Sequence, residues 1–339
     1  MSHSNHRCEV IRLGNPAKHP NADTLEVYKV FDWDVVAKQG NWNPGDLAAY
    51  VVPDSVVDTS RPEFSFLAPK DKPGAKVRVK VARLRGVYSQ GLLIPAPAGA
   101  VEGDDVAELF GIERYDPAEP VSTTGDAESP PSGLAPVYDV ESFRRYSKLL
   151  VDGEDVVVTE KIHGANGRWT WRDGRLWCGS KTNWKRQNEK SAWWKVPEKY
   201  PQLVEFLKQH EGMIVYGEVY GSTVQDMKYG KNGVDLAVFD VMMPSGRFVD
   251  YDEAKPTLNA RSIPMAPLIY RGPYDSESVK LMAEGPSTVP GADHVREGCV
   301  VRPVRERVNP RLGRVVLKVV GNGYLSRKDD GCPMTHRDD

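Results

Sequence analysis

The sequence predicts an α+β fold, with a small all-β barrel at the N terminus and a larger domain of mixed antiparallel sheet after it. The chain has 339 residues, about twice the usual domain length. Its first third contains short apolar runs separated by turn residues, and its last two thirds mix strand-like runs with helical periodicity. We therefore expect a barrel domain at residues 1–115, a linker at 116–136 and a second domain at 137–339.

Apolar runs bounded by turns define the predicted barrel. Each run is short and is followed by glycine, proline or asparagine, as strands of small barrels are. Residues 116–136 (DPAEPVSTTGDAESPPSGLAP) have no apolar periodicity, and this composition predicts a linker. The barrel runs are LEVYKV (25–30), DVVAK (34–38), LAAYVVP (47–53), KVRVKVARL (76–84) and QGLLIP (90–95).

The second domain alternates helical and strand-like patterns. Residues 140–150 carry apolar side chains at helical spacing, and residues 193–210 look helical after Pro201. Residues 154–180 are typical of strands broken by turns, and the Asp173-Gly174 pair is a signal for a two-residue hairpin. Buried strands are predicted at 212–221 and 234–243.

Composition excludes several classes of protein. Hydrophobic residues make up 40% and charged residues 27%, and no stretch approaches the roughly 18 apolar residues of a membrane span. Membrane, collagen-like and wholly disordered proteins are therefore excluded. The net charge of −2, from 45 Lys and Arg against 47 Asp and Glu, means that any anionic partner must be held by local charge.

The cysteines and histidines show no metal-binding pattern. Cys8, Cys178, Cys299 and Cys332 are far apart and form no C-x-x-C pair, which fits neither a zinc knuckle nor a disulfide-rich domain. The histidines lack zinc-site spacing such as H-E-x-x-H. The N-terminal MSHSNHRCEV has no basic segment followed by an apolar run. We expect reduced thiols, no secretory signal and a cytoplasmic protein.

Lys161 is the candidate nucleophile. It lies in TEKIHGAN, at the end of a β-rich run and just before a glycine turn, where a side chain can project from a rigid sheet into a cleft. A lysine attacks only as the neutral amine, and with a normal pKa near 10.4 holding it neutral at pH 7 costs about 4–5 kcal/mol unless its neighbours lower that pKa. K-x-x-G alone is a short pattern that also fits a solvated lysine beside a turn.

An ordered set of further segments follows Lys161 along the chain, and these segments, taken together with K-x-x-G, are more specific than that short pattern alone. These segments resemble motifs I, Ia, III, IIIa, IV and V of the covalent nucleotidyltransferase superfamily, which contains ATP-dependent ligases and mRNA capping enzymes. KIHGAN is similar to the first motif of nick-sealing RNA ligases, and the resemblance covers about residues 135–325. After KIHGAN, the segments are SKTNW (180–184), IVYGEVYG (214–221), VFDVM (238–242), EGCVVRP (297–303) and LKVV (317–320).

The N-terminal barrel adds a second resemblance. An OB-like domain placed before the transferase domain is the layout of the Deinococcus-type RNA ligase, the fifth RNA ligase family. KHPNADTLEVYKV (18–30) is also similar to the opening of OB-fold tRNA-binding modules of some aminoacyl-tRNA synthetases. It equally fits the first hairpin of any barrel, and OB-folds serve many ligands. We expect a nucleic-acid-binding OB domain.

The resemblance implies a role for residues in the first two motifs. Lys161 would attack ATP and carry AMP, and Glu160 would accept a hydrogen bond from the adenine amino group. Asn166 would hold the ribose, and Lys181, in the place of a common arginine, would contact the ribose or a phosphate. Ile162 would also belong to the nucleotide-binding set.

The later motifs complete the implied site. Glu218 would bind a ribose hydroxyl, and Phe239 would stack on the purine, a contact worth about 1–3 kcal/mol where bases stack on aromatics. Phe239 also fits a fully buried strand. Glu297 would coordinate a divalent cation, Mg²⁺ or Mn²⁺, although a turn acid before a strand is the plainer interpretation. Lys318 would neutralise the α-phosphate and help lower the pKa of Lys161.

The sequence departs from the superfamily pattern at two positions. Many relatives carry K-x-K in the last motif, but Val320 stands at the second lysine position, so one phosphate contact is missing or comes from elsewhere. His163 stands where DNA ligases and capping enzymes have aspartate. This difference favours the RNA-ligase branch.

Basic and aromatic segments have two interpretations each. KTNWKRQNEK (181–190) and RPVRERVNPRLGR (302–314) could bind polynucleotide phosphates, or could be solvated loops with counter-charges such as Glu306. Tryptophans at alternating positions of the predicted hairpin indicate a packed face rather than a base-binding surface. They are Trp169, Trp171 and Trp177, with Trp193 and Trp194 nearby.

The leading functional hypothesis is an ATP-dependent RNA ligase that seals 3′-hydroxyl/5′-phosphate nicks. The resemblance implies a nicked duplex RNA or RNA/DNA hybrid substrate with RNA on the 3′-hydroxyl side, and the sequence indicates no membrane association and no obligate protein partner. A capping guanylyltransferase or DNA ligase is the alternative enzyme, but both normally carry an OB domain after the last motif, and only 21 residues follow Lys318. A non-catalytic OB-fold RNA-binding protein is the alternative of another class.

Overall fold

The computed structural model describes residues 6–72, 74–115, 127–129, 138–310 and 312–327. The chain divides into two compact units, one made of residues 1–117 with 325–339 and the other of residues 118–324. Apart from 127–129, the predicted linker lies outside the described residues, and the predicted domain limits stay a prediction. In the described part of the chain, no helix is long and apolar enough to cross a membrane.

The first unit, in its described residues, consists of short strands and one 3-10 helix, Pro62–Leu67. The strands form antiparallel sheets in the orders β1-β5-β10, β2-β3-β4, β11-β6-β7 and β8-β9. They are β1 (Glu9–Arg12), β2 (Ala17–Lys18), β3 (Leu25–Val30), β4 (Trp33–Lys38), β5 (Leu47–Val51), β6 (Ser55–Asp58), β7 (Lys76–Arg78), β8 (Ala82–Leu84), β9 (Val87–Ser89), β10 (Leu92–Pro95) and β11 (Glu113–Arg114).

The apolar alternation of β5 organises the core of this unit. Ala49 and Val51 pack into one buried cluster with Val10 and Phe64, whereas the alternate residues of β5 pack into a second cluster. Successive side chains of a strand point to opposite faces, so β5 is buried on both. The predicted strands of the barrel are confirmed, except that the run at 76–84 forms two strands, β7 and β8.

The second unit contains two larger sheets with helices packed against them. The six-stranded sheet has the order β12-β17-β16-β15-β18-β19 and the five-stranded sheet β13-β24-β21-β14-β20, while β22 and β23 form a separate two-stranded sheet. The strands are β12 (Ala127–Glu128), β13 (Glu141–Ser142), β14 (Asp155–Lys161), β15 (Ala165–Arg172), β16 (Arg175–Ser180), β17 (Trp184–Lys185), β18 (Ile214–Tyr220), β19 (Asp235–Met242), β20 (Leu268–Pro273), β21 (Gly298–Pro303), β22 (Val308–Asn309), β23 (Gly313–Arg314) and β24 (Leu317–Val320). The helices are α1 (Phe143–Tyr146), 3-10 Ser147–Leu149, α2 (Ala192–Lys199), α3 (Pro201–Gln209), α4 (Tyr251–Asn259), α5 (Ser276–Met282) and α6 (Asn322–Leu325).

The predicted elements of this unit are present, with two differences. The hairpin at Asp173-Gly174 is confirmed, and both residues have positive φ, 53° and 74°, as a type I′ turn requires. The helix predicted at 140–150 is one α-turn and one 3-10 turn that follow the short strand β13. The helix predicted after Pro201 is preceded by a second helix, α2, which accommodates Pro197. The predicted α+β class is confirmed.

The strand periodicity decides which side chains reach the inner face of the five-stranded sheet. Val156 and Val158 of β14 pack into a buried cluster with Val319 of β24. Because successive side chains alternate between faces, Lys161 and Lys318 both belong to the opposite face. The alternation that builds this core therefore places two lysines on one shared surface.

Candidate active site

Lys161 and Lys318 lie on β14 and β24, the two strands that flank β21 in the five-stranded sheet. Lys161 pairs with Gly298 of β21, and Gly298 pairs in turn with Val320 of β24. Lys318 lies two residues along β24, opposite Val300. Val320, which replaces the second lysine of the usual last motif, is thus the β24 residue in the same cross-strand row as Lys161. The row lacks a second cation at that position.

Lys161 forms an ion pair at the end of its strand. Its Nζ donates a hydrogen bond to Oε1 of Glu297 over 2.5 Å, and the two side chains are 27% and 10% exposed. Burial raises the pKa of Glu297, but the Lys161 ammonium and His163 more than reverse this and lower it to about 2. The contact is that of a lysine ammonium paired with an ionised carboxylate at the end of β14.

Gly164 explains why the first motif needs a glycine. A Cβ at this position would lie 2.2 Å from the carbonyl oxygen of Val219 and 3.0 Å from Cγ of Glu218. The chain that leaves Lys161 therefore runs directly against β18. The Gly164 backbone N–H donates to the Glu218 carboxyl group, which brings the first and third motifs together.

Glu218 is a half-buried carboxyl group among charged neighbours. It lies opposite Asn166 and Ala237 on the six-stranded sheet. Burial raises its pKa to about 8, and the charge of Glu297 adds to this effect while Lys161 and Lys181 oppose it. With its pKa raised in this way, Glu218 can hold a proton near neutral pH, and can then donate as well as accept a hydrogen bond.

This shift predicts a pH dependence of stability. Since the folded-state pKa lies above that of an unfolded glutamate, the contribution of Glu218 is complete below pH 4.5 and is lost as the pH rises towards 8. Glu218→Gln cannot ionise, so we expect it to be more stable than the parent at pH 8, by about 2–4 kcal/mol, and equally stable near pH 4.5. Urea unfolding across this range measures the difference. Glu205→Gln, at an exposed helix position, is the control, and parallel pH curves for parent and Glu218→Gln would refute the expectation.

His163 is held by residues that the sequence motifs do not include. Its Nε2 lies 2.8 Å from Oδ1 of Asp226, and its Nδ1 lies 3.0 Å from the hydroxyl of Tyr324 and 3.7 Å from Oε2 of Glu297. Its backbone N–H donates to the Tyr229 hydroxyl at 2.7 Å. The histidine that replaces the usual aspartate is therefore part of a network with two carboxylates. No local pattern in the sequence indicated Asp226 or Tyr324.

Glu160 is buried and strongly hydrogen-bonded. Its Oε1 accepts from the Ser287 hydroxyl at 2.6 Å, and its Oε2 accepts from the backbone N–H and the hydroxyl of Thr288 at 2.6 and 2.5 Å. A carboxylate has about four acceptor positions, so these three bonds leave capacity for another donor. The adenine contact stays a prediction, and Ser287 and Thr288 are partners that sequence reasoning missed.

Phe239 lies half-buried between two aromatic clusters. Its ring centroid is 4.9 Å from that of Tyr138, with the planes tilted by 49°. It also packs on the cluster that contains Ile162 and Ala237. Ile162 is itself 3% exposed and is a buried member of that cluster. Stacking of Phe239 on a purine stays a prediction.

Asn166 and Lys181 complete the polar rim around Glu218. The Oδ1 atom of Asn166 is buried and has no hydrogen-bond partner in the described residues, which is unusual for a buried amide. The Nζ atom of Lys181 lies 3.0 Å from Oδ2 of Asp139. The structure thus brings Asn166, Lys181 and Glu218 together, and Asn166 leaves an acceptor for a ligand.

In the second basic segment three arginines pair with carboxylates, and Arg305 is exposed. Arg302 and Arg314 lie 3.1 and 2.8 Å from the carboxylate of Asp240, and Glu306 also pairs with both. Arg307 pairs with Glu154 at 2.7 Å, and Arg311 lies outside the described residues. These three arginines are therefore already paired with carboxylates, Glu306 among them, which favours the counter-charge interpretation over a phosphate-binding surface at those positions. In the first segment, Arg186 and Lys190 are exposed, while Lys185 is buried beneath Trp193.

The tryptophans are core residues, as predicted. Trp169 is completely buried, and its Nε1 donates to the backbone oxygen of Trp193. Trp177 pairs with Thr170 on the opposite face of the sheet and packs on Trp184. Alternation thus sends Trp169 and Trp177 to different sides, and both are protected from solvent.

This arrangement defines a class of protein. A lysine at the end of an internal strand lies beside a carboxylate, and a second lysine lies on the same face. A protonatable glutamate and an amide approach from the other sheet. These groups are of the kind that an amine needs to form a covalent bond to a nucleotide phosphate.

Comparison with known proteins identifies the family. Residues 154–320 match the family model described as RNA ligase, and residues 9–96 match a model described as an OB-fold domain. The chain therefore carries a domain of the RNA ligase family, preceded by an OB-fold domain. No curated protein matches the chain.

Solved structures agree in fold. The apo form of a mutant of Naegleria gruberi RNA ligase has a TM-score of 0.80 at 22% identity, with 95% of this chain and 98% of that chain covered. A mutant of the same enzyme with ATP and Mn gives 0.79 at 23%, with 94% and 97% covered. Another mutant, with AMP and Mn, gives 0.80 at 23% with the same coverage. The likeness therefore extends over both domains.

Proposed function

We propose that the chain is an ATP-dependent RNA ligase that works through Lys161. The amine of Lys161 forms a bond to the α-phosphorus of ATP while the bond to the β-phosphate oxygen breaks and pyrophosphate leaves. AMP then passes to a 5′-phosphate of the nucleic acid as the nitrogen–phosphorus bond breaks. Finally a 3′-hydroxyl oxygen attacks that phosphate, a phosphodiester forms, and AMP leaves.

The observation that carries this proposal is the position of Lys161 within the RNA ligase domain. Its Nζ is 2.5 Å from Glu297, on the sheet face that also bears Lys318. Because this lysine is paired as an ammonium, it must lose its proton and leave Glu297 before it attacks. Lys318 supplies positive charge for the phosphate, and Asn166 and Glu218 supply hydrogen bonds for the ribose.

The residues around Glu297 fit a divalent cation, Mg²⁺ or Mn²⁺. Oε2 of Glu297 is buried and has no hydrogen-bond partner in the described chain, so it is an oxygen suited to a hard cation. In the same part of the chain, no group of three or more His, Cys, Asp or Glu could hold a metal ion. Phosphate and water oxygens would therefore provide most ligands. When bound, such a cation would neutralise charge on the phosphates.

The substrate we propose is a nick in duplex RNA or in an RNA/DNA hybrid, with RNA on the 3′-hydroxyl side. The match to the RNA ligase family supports the nucleic-acid part of this proposal. We also propose a cytoplasmic location, since Cys8, Cys178 and Cys299 are free and buried, as expected of a reduced protein.

Two assays on the same purified protein test the nucleotide preference and the strand preference. The purified protein is incubated with labelled ATP or GTP and a divalent cation, denatured, and examined for label on the chain. We expect label from ATP alone. The same protein should seal a nick with ribonucleotides on the 3′-hydroxyl side at least about tenfold faster than one with deoxynucleotides there, if the site hydrogen-bonds the 2′-hydroxyl. Label from GTP only, or equal sealing of all-DNA nicks, would contradict the proposal.

A further inference from the structure

The hairpin of β8 and β9 has an unusual tip. Its two-residue turn is Arg85-Gly86, with φ of 42° and 92°. Positive φ at both positions is the type I′ geometry, which strongly favours Asn-Gly or Gly-Gly. An arginine side chain at the first position strains the backbone, whereas glycine or asparagine would not. Such outliers persist where the surrounding structure enforces them, and they cluster at functional sites.

Two residues of the KHPNAD segment enforce this tip. The ring of His19, 1% exposed, lies 3.1 Å from the Leu84 carbonyl oxygen through Nε2, and its Nδ1 accepts from the Asn21 backbone N–H at 3.1 Å. Since Nδ1 accepts, Nε2 carries the proton and donates to Leu84. The Asn21 amide donates to the Arg85 carbonyl oxygen at 2.9 Å.

The base of the hairpin is also fixed. The hydroxyl of Ser89 accepts from the Val36 backbone N–H at 3.0 Å, and the backbone N–H of Gln90 donates to Asp34 at 2.8 Å. The hairpin is therefore anchored at its tip and at its base. A platform held at both ends presents its outer side chains in defined positions.

The outer side chains of the hairpin are cationic and aromatic. Arg83 and Arg85 are exposed, and Arg83 lies opposite the half-buried Tyr88, with its guanidinium carbon 5.6 Å from the ring centroid. In the described part of the chain neither arginine has an ion pair with a carboxylate. This differs from Arg302 and Arg314, whose charges are neutralised internally. Arginines presented without a counter-charge are suited to the bidentate hydrogen bonds that phosphate oxygens accept.

We propose that the β8–β9 hairpin is a docking element for the sugar–phosphate backbone of the nucleic-acid substrate, with Arg83 and Arg85 as the phosphate contacts. This rests on the proposed function only in taking nucleic acid as the partner. His19 and Asn21 are positioning residues that hold the strained tip in place. The KHPNAD segment thus acts indirectly, through the hairpin that it clamps.

Binding of a nicked RNA duplex in the absence of ATP tests this proposal. We expect Arg83→Gln and Arg85→Gly each to raise Kd by roughly tenfold near 0.1 M salt and to reduce the slope of log K against log salt by about one. Arg85→Gly should not lower Tm, because glycine relieves the positive φ. If the Tm of Arg85→Gly does fall, the test depends on Arg83→Gln alone, because Arg83 lies on the regular strand β8. An unchanged Kd would overturn the proposal. A higher Kd without a change in the slope of log K against log salt would overturn it as well.

Two controls separate this proposal from general effects and from the proposed function. Arg12→Gln removes an exposed charge on β1, which is not part of the β8–β9 sheet, and Arg12 pairs with Glu102. This variant should change Kd less than about twofold. A loss for Arg12→Gln equal to that of the hairpin variants would also overturn the proposal. Labelling with ATP should be unchanged in the hairpin variants, because Lys161 lies in the other unit. A parent protein without label would instead refute the ligase function, and the binding measurement would still decide the role of the hairpin.

Discussion

Replacing Lys161 with alanine should abolish formation of the covalent protein–AMP adduct. The side chain is the nucleophile in our proposal, and removal of a nucleophile from covalent enzymes lowers rates by roughly a thousandfold or more. The measurement is label retained on the denatured chain after incubation with ATP and a divalent cation. Lys161→Arg should fail equally, because it restores a cation beside Glu297 but remains charged and cannot attack.

A pre-adenylylated nick distinguishes lost chemistry from lost structure. Joining this substrate requires no bond to Lys161, so Lys161→Ala should still seal it when the fold and the rest of the site are intact. Lys208→Ala provides the matched control, since Lys208 is half exposed on α3 and pairs with Glu205. Its label should equal that of the parent. Retention of label in Lys161→Ala would show that another residue carries AMP.

Replacing Asp240 with asparagine should give the largest loss of stability. Its carboxylate is fully buried, pairs with Arg302 and Arg314, and accepts a hydrogen bond from the Tyr138 hydroxyl at 2.7 Å. Burial lowers the pKa of both arginines, but the Asp240 charge more than offsets this and raises them. Removal of one partner leaves buried cations with only Glu306 to neutralise them, so we expect about 3–5 kcal/mol of destabilisation in denaturant unfolding.

Two further variants test the cause of that loss. Glu253→Gln breaks an exposed pair with Arg247 on the same unit and should cost less than about 0.5 kcal/mol. The combination of Asp240→Asn and Glu306→Gln with Arg302→Met and Arg314→Met removes the four charges together and should recover much of the stability. A small loss for Asp240→Asn alone would show that the network contributes little.

The sequence was sufficient for the fold class and for most of the site. The position of Lys161 at the end of a β-rich run, and the ordered motifs after it that resemble those of a known superfamily, predicted that separate segments meet in one domain. The structure brings Lys161, Glu297, Glu218 and Asn166 together. Their chemical roles stay predictions. These residues could be predicted because they lie in motifs that resemble those of the covalent nucleotidyltransferase superfamily and follow one another in the same order along the chain.

Contacts between distant segments could not be predicted. Asp240 sits in an apolar run, and a buried acid there signals a partner but does not say which one. Its arginines come from residues more than 60 positions away, and therefore the sequence left open whether the segment 302–314 binds phosphates or forms a loop with counter-charges. The three donors of Glu160 and the partners of His163 likewise depend on tertiary packing. Neither Ser287 nor Asp226 lies in a recognisable motif.

The short strand β13 has a practical consequence for dissecting the protein. β13 pairs in parallel with β24, so residues 141–142 close the sheet edge beside Lys318. Just before it, Tyr138 is tied to Asp240. A shortened catalytic fragment that begins after Ser142 would leave the Lys318 strand as a bare edge, open to fraying and to self-association. Fragments meant to isolate the chemistry should therefore start upstream of Tyr138.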